Sequence, residues 1–322
     1  MKGKISLNNF IQENMKRNII YSLTGILIFV LTACTDEWLN NEGERMPEGE
    51  VSVSATVEFL PLRPALDVNT RTAGDVIKDI NDLCVLLYDE EGNLWMVFGS
   101  WFGGIYLLKL DEETGLRDYA TTYETVPNQS DAYYGYKLAG GCSVSGEGPF
   151  IIYKDSYYYL FLSYGGLVAE GGYQIRIFRS ENITGPYVDE AGNSAVYTSQ
   201  ENNLFTNIGV RIMGSYDWSG NRETRVAQGH NSAYVSEDGE IYMVYHSRFA
   251  EGKNGITEAH EVRVQQLFVN EAGWLVAAPY EYTGEHISKT GYDMEQMCGE
   301  YEFIIHTPTT YYQKAGKATV GI

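Results

Sequence analysis

Phe150-Ile-Ile-Tyr-Lys-Asp-Ser-Tyr-Tyr-Tyr-Leu-Phe-Leu-Ser-Tyr164 decides the fold: an apolar run, a polar turn at Lys154, Asp155 and Ser156, then a second run rich in aromatic residues. Aromatic and β-branched runs of this length, bounded by turn residues, read as paired strands. The pattern recurs twice. Tyr88-Asp-Glu-Glu-Gly-Asn-Leu-Trp-Met-Val-Phe-Gly-Ser100 is followed by Ile105 to Leu110, and Ala233-Tyr-Val-Ser-Glu-Asp-Gly-Glu-Ile-Tyr-Met-Val-Tyr-His-Ser247 by Val262 to Val269. The central unit continues into Tyr173 to Phe178. Repeated units with no sustained helical period between them predict an all-β chain of radially repeated antiparallel sheets, with a β-sandwich of short strands as the alternative. Three units fall short of the 4–8 that close a propeller ring.

Composition agrees. The 322 residues carry 26 Tyr, 34 Gly and only 8 Pro, and 44% are hydrophobic, which excludes a disordered chain. With 23 Lys and Arg against 43 Asp and Glu, the net charge of −20 argues against a nucleic-acid partner.

Upstream, Lys16-Arg17, an apolar stretch from Ile19 to Leu31 and Leu31-Thr-Ala-Cys34 read as a signal peptide over 1–33, too short in its apolar part to span a bilayer. Leu-Thr-Ala-Cys resembles a bacterial lipoprotein box. That resemblance makes Cys34 the lipidation site and implies an outer-membrane lipoprotein, held by a lipid anchor at the cell surface or facing the periplasm. Asp36 and Glu37 resemble the surface-export signals of Bacteroidetes lipoproteins. Residues 34–50 read as an acidic linker, and Val51 to Phe59 alternates as a half-buried strand. Cys84, Cys142 and Cys298 have no metal-ligand spacing and read as unpaired thiols.

No serine-nucleophile elbow, H-E-x-x-H or phosphate-binding glycine loop occurs in the sequence. Three polar constellations remain. Ser145-Gly-Glu-Gly-Pro-Phe150 places Glu147 between two glycines where a strand opens, so that a ligand could approach a carboxyl group placed to donate a proton. A solvated turn glutamate is the plainer alternative. Gln228-Gly-His-Asn-Ser232 offers His230 as a metal ligand or a structural histidine. Gly99-Ser-Trp-Phe-Gly-Gly104 presents an aromatic platform of the kind that stacks on sugars, or two core aromatics.

Taken together, Trp95 to Tyr106, Gly146 to Ile151 with Tyr158 to Gly166, and Gly229 to Ser232 with Tyr242 to Phe249 resemble the endo-α-1,5-L-arabinanases of glycoside hydrolase family 43. The resemblance implies a five-bladed β-propeller that hydrolyses arabinan with inversion. It implies Glu147 as general acid, a histidine-held calcium ion at His230, and a substrate-contacting loop at Ser100, Trp101 and Phe102. The family's catalytic base has no counterpart here, and Asp82 is the candidate for its second aspartate, displaced by one residue. The expected architecture is thus an incomplete propeller of roughly three blades over 92–287, with impaired hydrolysis of arabinan.

Residues 51–91 resemble part of a β-sandwich domain of Bacteroidales fimbrillin-type anchor lipoproteins, through Val51 to Phe59, Thr70 to Gly74 and Ile80 to Leu94. This implies an alternative function: a fimbrial anchor or adhesion subunit with fimbrial partners, or a non-catalytic polysaccharide-binding module. Gly299 to His306 resembles the opening of an accessory β-domain, placed over 288–322.

Overall fold

The computed structural model describes residues 87–142, 146–199, 208–221, 223–285, 291–306 and 312–321. The signal peptide, Cys34, the acidic linker, Asp82 and the fimbrillin-like segment up to Leu86 lie outside the described residues. The described chain is all β, its one helical element being a 3-10 turn at Trp101–Gly103.

The three units of the sequence fall in three antiparallel sheets. The first holds β1 (Leu87–Tyr88), β2 (Leu94–Ser100), β3 (Gly104–Lys109), β4 (Ser130–Asp131) and β5 (Gly135–Ala139), in the order β1-β2-β3-β5-β4. The second runs in sequence order through β6 (Glu147–Lys154), β7 (Tyr157–Tyr164), β8 (Gln174–Ser180) and β9 (Val210–Met213). After β10 (Ser215–Asp217), the third runs through β11 (Arg225–Val235), β12 (Ile241–Phe249), β13 (His260–Val269) and β14 (Leu275–Ala277). β15 (Gly299–Phe303) pairs with β17 (Gly316–Val320), and β16 (Tyr312–Lys314) pairs in parallel with β10. The C-terminal stretch is therefore joined to the body by strand pairing. Leu87–Tyr88, the end of the fimbrillin-like segment, is an edge strand of the first sheet.

The second sheet is buried on both faces, which is why β7 reads as a nearly continuous apolar run. Successive side chains of a strand alternate faces. Tyr158, Leu160, Leu162 and Tyr164 accordingly pack with Trp95, Ile105, Leu107 and Leu138 of the first sheet. Tyr159 and Phe161, with Ile175 and Ile177, pack with Ile241, Met243, Leu267 and Trp274 of the third. Arg179 of β8 ties the same two sheets, its guanidinium lying 4.3 Å from the Tyr157 ring and 4.2 Å from the Trp274 ring. Its Nη1 donates to the carbonyls of Ala272 and Gly273 at 2.7 and 2.6 Å. Cys142 and Cys298 are half-buried free thiols, as their spacing suggests.

Candidate active site

The site assembles where the second sheet meets the hairpin loop of the first and the irregular strand of the third. β6 opens on Glu147-Gly148-Pro149, and its pairing with β7 slips between Glu147 and Phe150, where Glu147 stands opposite Ser163. Such a bulge re-aims the side chain at the end of a strand. Gly148 supports it with a left-handed φ of +57°, so this glycine serves the bend itself as well as leaving room.

Two donors hold the half-buried Glu147 carboxylate. Trp101 Nε1 donates to Oε2 at 3.0 Å, and the Tyr173 hydroxyl donates to Oε1 at 2.5 Å. Trp101 is brought there by the strained hairpin between β2 and β3: Trp101 and Phe102 have φ of +33° and +37°, and the Trp101 amide donates to the Gly146 carbonyl at 3.0 Å. The loop that the sequence marked as an aromatic platform is therefore divided in its duties. Trp101 turns in and grips the acid, whereas Phe102 is 75% exposed. Ser100 closes β2 and is half-buried.

His230 comes from the other side. β11 pairs irregularly with β12 between Val226 and Ser232, and Ala227 and His230 have left-handed φ of +52° and +53°. His230 Nδ1 lies 3.4 Å from the Tyr173 hydroxyl. Its amide donates to Ser163 Oγ at 2.7 Å, and that fully buried hydroxyl donates to Asn231 Oδ1 at 3.2 Å. Ser163, opposite Glu147 in the ladder, thus locks the histidine strand to the glutamate strand.

Tyr173 lies at the centre and has no solvent exposure. A Cβ on Gly229 would stand only 2.0 Å from Tyr173 Cε1 and 2.1 Å from Cδ1, so the missing side chain at Gly229 is the space the ring occupies. His246, opposite Gly229 in the register, stacks against the same ring at 5.7 Å, and its own ring lies 5.6 Å from that of His260. Burial holds the His246 imidazole down to a pKa of about 3, with His260, Arg248 and His230 adding repulsion of its charged form. A neutral His246 therefore sits behind the tyrosine across the neutral pH range.

Glu147, Trp101 and His230, which stand in three separate stretches of the sequence, are thus brought together around Tyr173. Tyr173, Ser163 and Gly229 were not singled out there. The signal that could have found Tyr173 is Gly229 beside His230, a clearance in an otherwise bulky strand. Asp82 lies outside the described residues. Among the described residues no three His, Cys, Asp or Glu side chains converge as a metal centre would need.

A carboxyl group set in a bulge, flanked by aromatic rings and oriented by an indole and a phenol, is placed to exchange a proton with an oxygen of a ligand beside it. Comparison with known proteins agrees with that chemistry. Residues 82–275 match the family described as Glycosyl hydrolases family 43. The extracellular endo-alpha-(1->5)-L-arabinanase of Thermotoga petrophila is 45% identical over 230 residues, covering 69% of this chain and 45% of that protein. Extracellular endo-alpha-(1->5)-L-arabinanase 2 of Bacillus subtilis is 42% identical over 231 residues, covering 68% and 46%. The crystal structure of an endo-1,5-alpha-L-arabinanase from Thermotoga petrophila aligns with a TM-score of 0.61 at 42% identity, covering 73% of this chain and 50% of that one. A glycoside hydrolase family 43 protein from Bacillus licheniformis aligns with a TM-score of 0.61 at 37% identity, covering 73% and 52%. The chain spans about half the length of the relatives it matches.

Proposed function

Starting from a chain that belongs to glycosyl hydrolases family 43, we propose that it acts on arabinan, cleaving α-1,5-arabinofuranosyl links with inversion, with Glu147 as the general acid. The observation that carries this reading is the Glu147 carboxyl group held between Trp101 and Tyr173 at the bulged opening of β6. In an inverting hydrolase the acid protonates the leaving oxygen while a separate carboxylate activates water on the other face of the sugar. Trp101 and Tyr173 fix the acid's orientation, and the exposed Phe102 beside it supplies a face for the substrate ring. Ser100 belongs to the same substrate-facing loop.

In this reading the three sheets are three blades of a five-bladed propeller. The acid is assigned and the base is not: Asp82, the candidate second carboxylate, lies outside the described residues. Calcium enters in a restricted form. Among the described residues a hard, oxygen-preferring ion finds no cage of carboxylates around His230, so these residues suit only a hydrated ion with a ring nitrogen of His230 as its protein donor. No chemical step passes through it. Anchoring through Cys34 rests on the leader sequence, and the family match favours the hydrolase over a fimbrial role.

Incubation of the chain with linear arabinan, followed by chromatography of the products and by affinity electrophoresis, tests this. Release of arabino-oligosaccharides that Glu147→Gln abolishes is expected; neither cleavage nor retention on the polymer would sink it.

A further inference from the structure

A groove of 620 Å³ runs between the turn after β10, the segment after β14 and the C-terminal pair β15 and β17, and it shares no residue with the Glu147 cluster. Its size is that of ordinary small-ligand sites. Three aromatic side chains line it: Trp218, Tyr280 and Tyr301. Trp218 and Tyr280 lie 6.3 Å apart with their planes at 55°, so the two rings form an angled wall. Tyr280 and Tyr301 remain 41% and 38% exposed.

The wall is built to stay in place. A Cβ on Gly220 would lie 2.8–2.9 Å from Tyr280, so that ring packs directly on the backbone of the turn. The Glu302 carboxylate on β15 accepts from the Ser219 amide at 3.1 Å and from the Tyr280 hydroxyl at 3.3 Å, clipping all three segments together. Around the rings stand Glu300, Glu302 and Lys317, groups that donate to or accept from hydroxyls. Fixed aromatic faces with polar groups at their edges match the apolar C–H faces and hydroxyl rims of sugar rings. The chain's charge of −20, together with two carboxylates against one lysine in the groove, opposes an anionic polymer.

We propose that this groove is a second, non-catalytic binding site for a neutral pentose glycan, holding the same polymer that Glu147 acts on. It rests on the hydrolase reading given above for the choice of polymer, and two separated contacts on one polymer raise its apparent affinity through effective concentration.

The test uses the full chain carrying Glu147→Gln, so that the polymer stays intact, with Trp218→Ala or Tyr301→Ala added in turn. Tyr301 is the more exposed hairpin residue, and matching melts for the added variants exclude misfolding. In affinity electrophoresis on linear arabinan, each added variant is expected to bind about tenfold more weakly, the loss of one stacked ring. Polygalacturonate should retain none of them. Trp218→Ala with Glu147 intact should cleave short arabino-oligosaccharides at the unaltered rate. Groove variants that bind the polymer like their parent, beside cleavage of short oligosaccharides by the unaltered chain, overturn the groove alone. No cleavage by the unaltered chain and no retention of its Glu147→Gln form overturn the hydrolase reading and this site with it.

Discussion

Replacing Gly229 by alanine should unseat Tyr173, and the size of the effect follows from distances. The new methyl carbon would stand 2.0 and 2.1 Å from two carbons of the Tyr173 ring, where carbon atoms rest comfortably at about 3.5–4.0 Å. The ring would have to retreat by about 1.5 Å into a close-packed interior. Tyr173 is fully buried, so no solvent space receives it. Overpacking of this kind costs about 1–3 kcal/mol, and at about 2–4 °C per kcal/mol for a chain of this size the melting temperature should fall by about 2–12 °C. The same retreat would open the 2.5 Å hydrogen bond between Tyr173 and Glu147 to about 4 Å, outside bonding reach. The assay is a double-mutant cycle by urea unfolding with Gly229→Ala, Tyr173→Ala and the pair. Once the ring is gone the methyl group has room, so Gly229→Ala should cost almost nothing in the Tyr173→Ala background. Strict additivity of the two changes, or a Gly229→Ala protein as stable as the parent, would refute the steric reasoning.

Tyr173→Phe keeps the ring and removes only the donor to Glu147, so kcat on arabinan should drop about ten- to a hundredfold with little change in KM, the worth of one hydrogen bond to a charged group; unchanged kcat would remove Tyr173 from the positioning of the acid. His246 should make the fold acid-sensitive. Its folded pKa of about 3 lies below the ordinary 6.5, so between those values the unfolded chain binds a proton that the folded chain refuses. Stability should fall by about 2 kcal/mol between pH 7 and pH 4.5, and His246→Gln should flatten that part of the profile as read by urea midpoints. Arg179→Met should cost about 1–3 kcal/mol, because it removes the ring contact to Tyr157 within the second sheet and the ring contact and two hydrogen bonds that join the second sheet to the third. Lysine should fail to restore it, since an ammonium group cannot stack on both Tyr157 and Trp274.

How far the sequence could be read depended on whether a feature was local. Tyr157 to Tyr164 is legible as a strand because nearly every residue of a doubly buried strand is apolar or aromatic, Ser163 being the exception, and the same constraint marks Tyr242 to Tyr245. Glu147 is legible because the bulge that aims it needs glycine and proline beside it in the chain. Tyr173 looked like one more strand aromatic. Its role comes from Glu147, 26 residues earlier, and from the clearance at Gly229, and neither contact leaves a trace near position 173. The two duties of the Trp101 and Phe102 pair were equally hidden. The sequence places both rings in one loop, and only the left-handed backbone turns one inward and leaves the other out. The pairing of β16 with β10 was hidden as well, since a strand's alternation does not say which strand it will pair with.

The role of Glu147 as acid is tested most directly by comparing leaving groups. Relative to the unaltered chain, Glu147→Gln should lose at least about 10²-fold on arabinan, whose departing alcohol needs a proton. It should lose little on an α-L-arabinofuranoside carrying dinitrophenolate, which leaves without one. Equal losses on both substrates, or no loss on arabinan, would contradict the assignment of Glu147 as the proton donor.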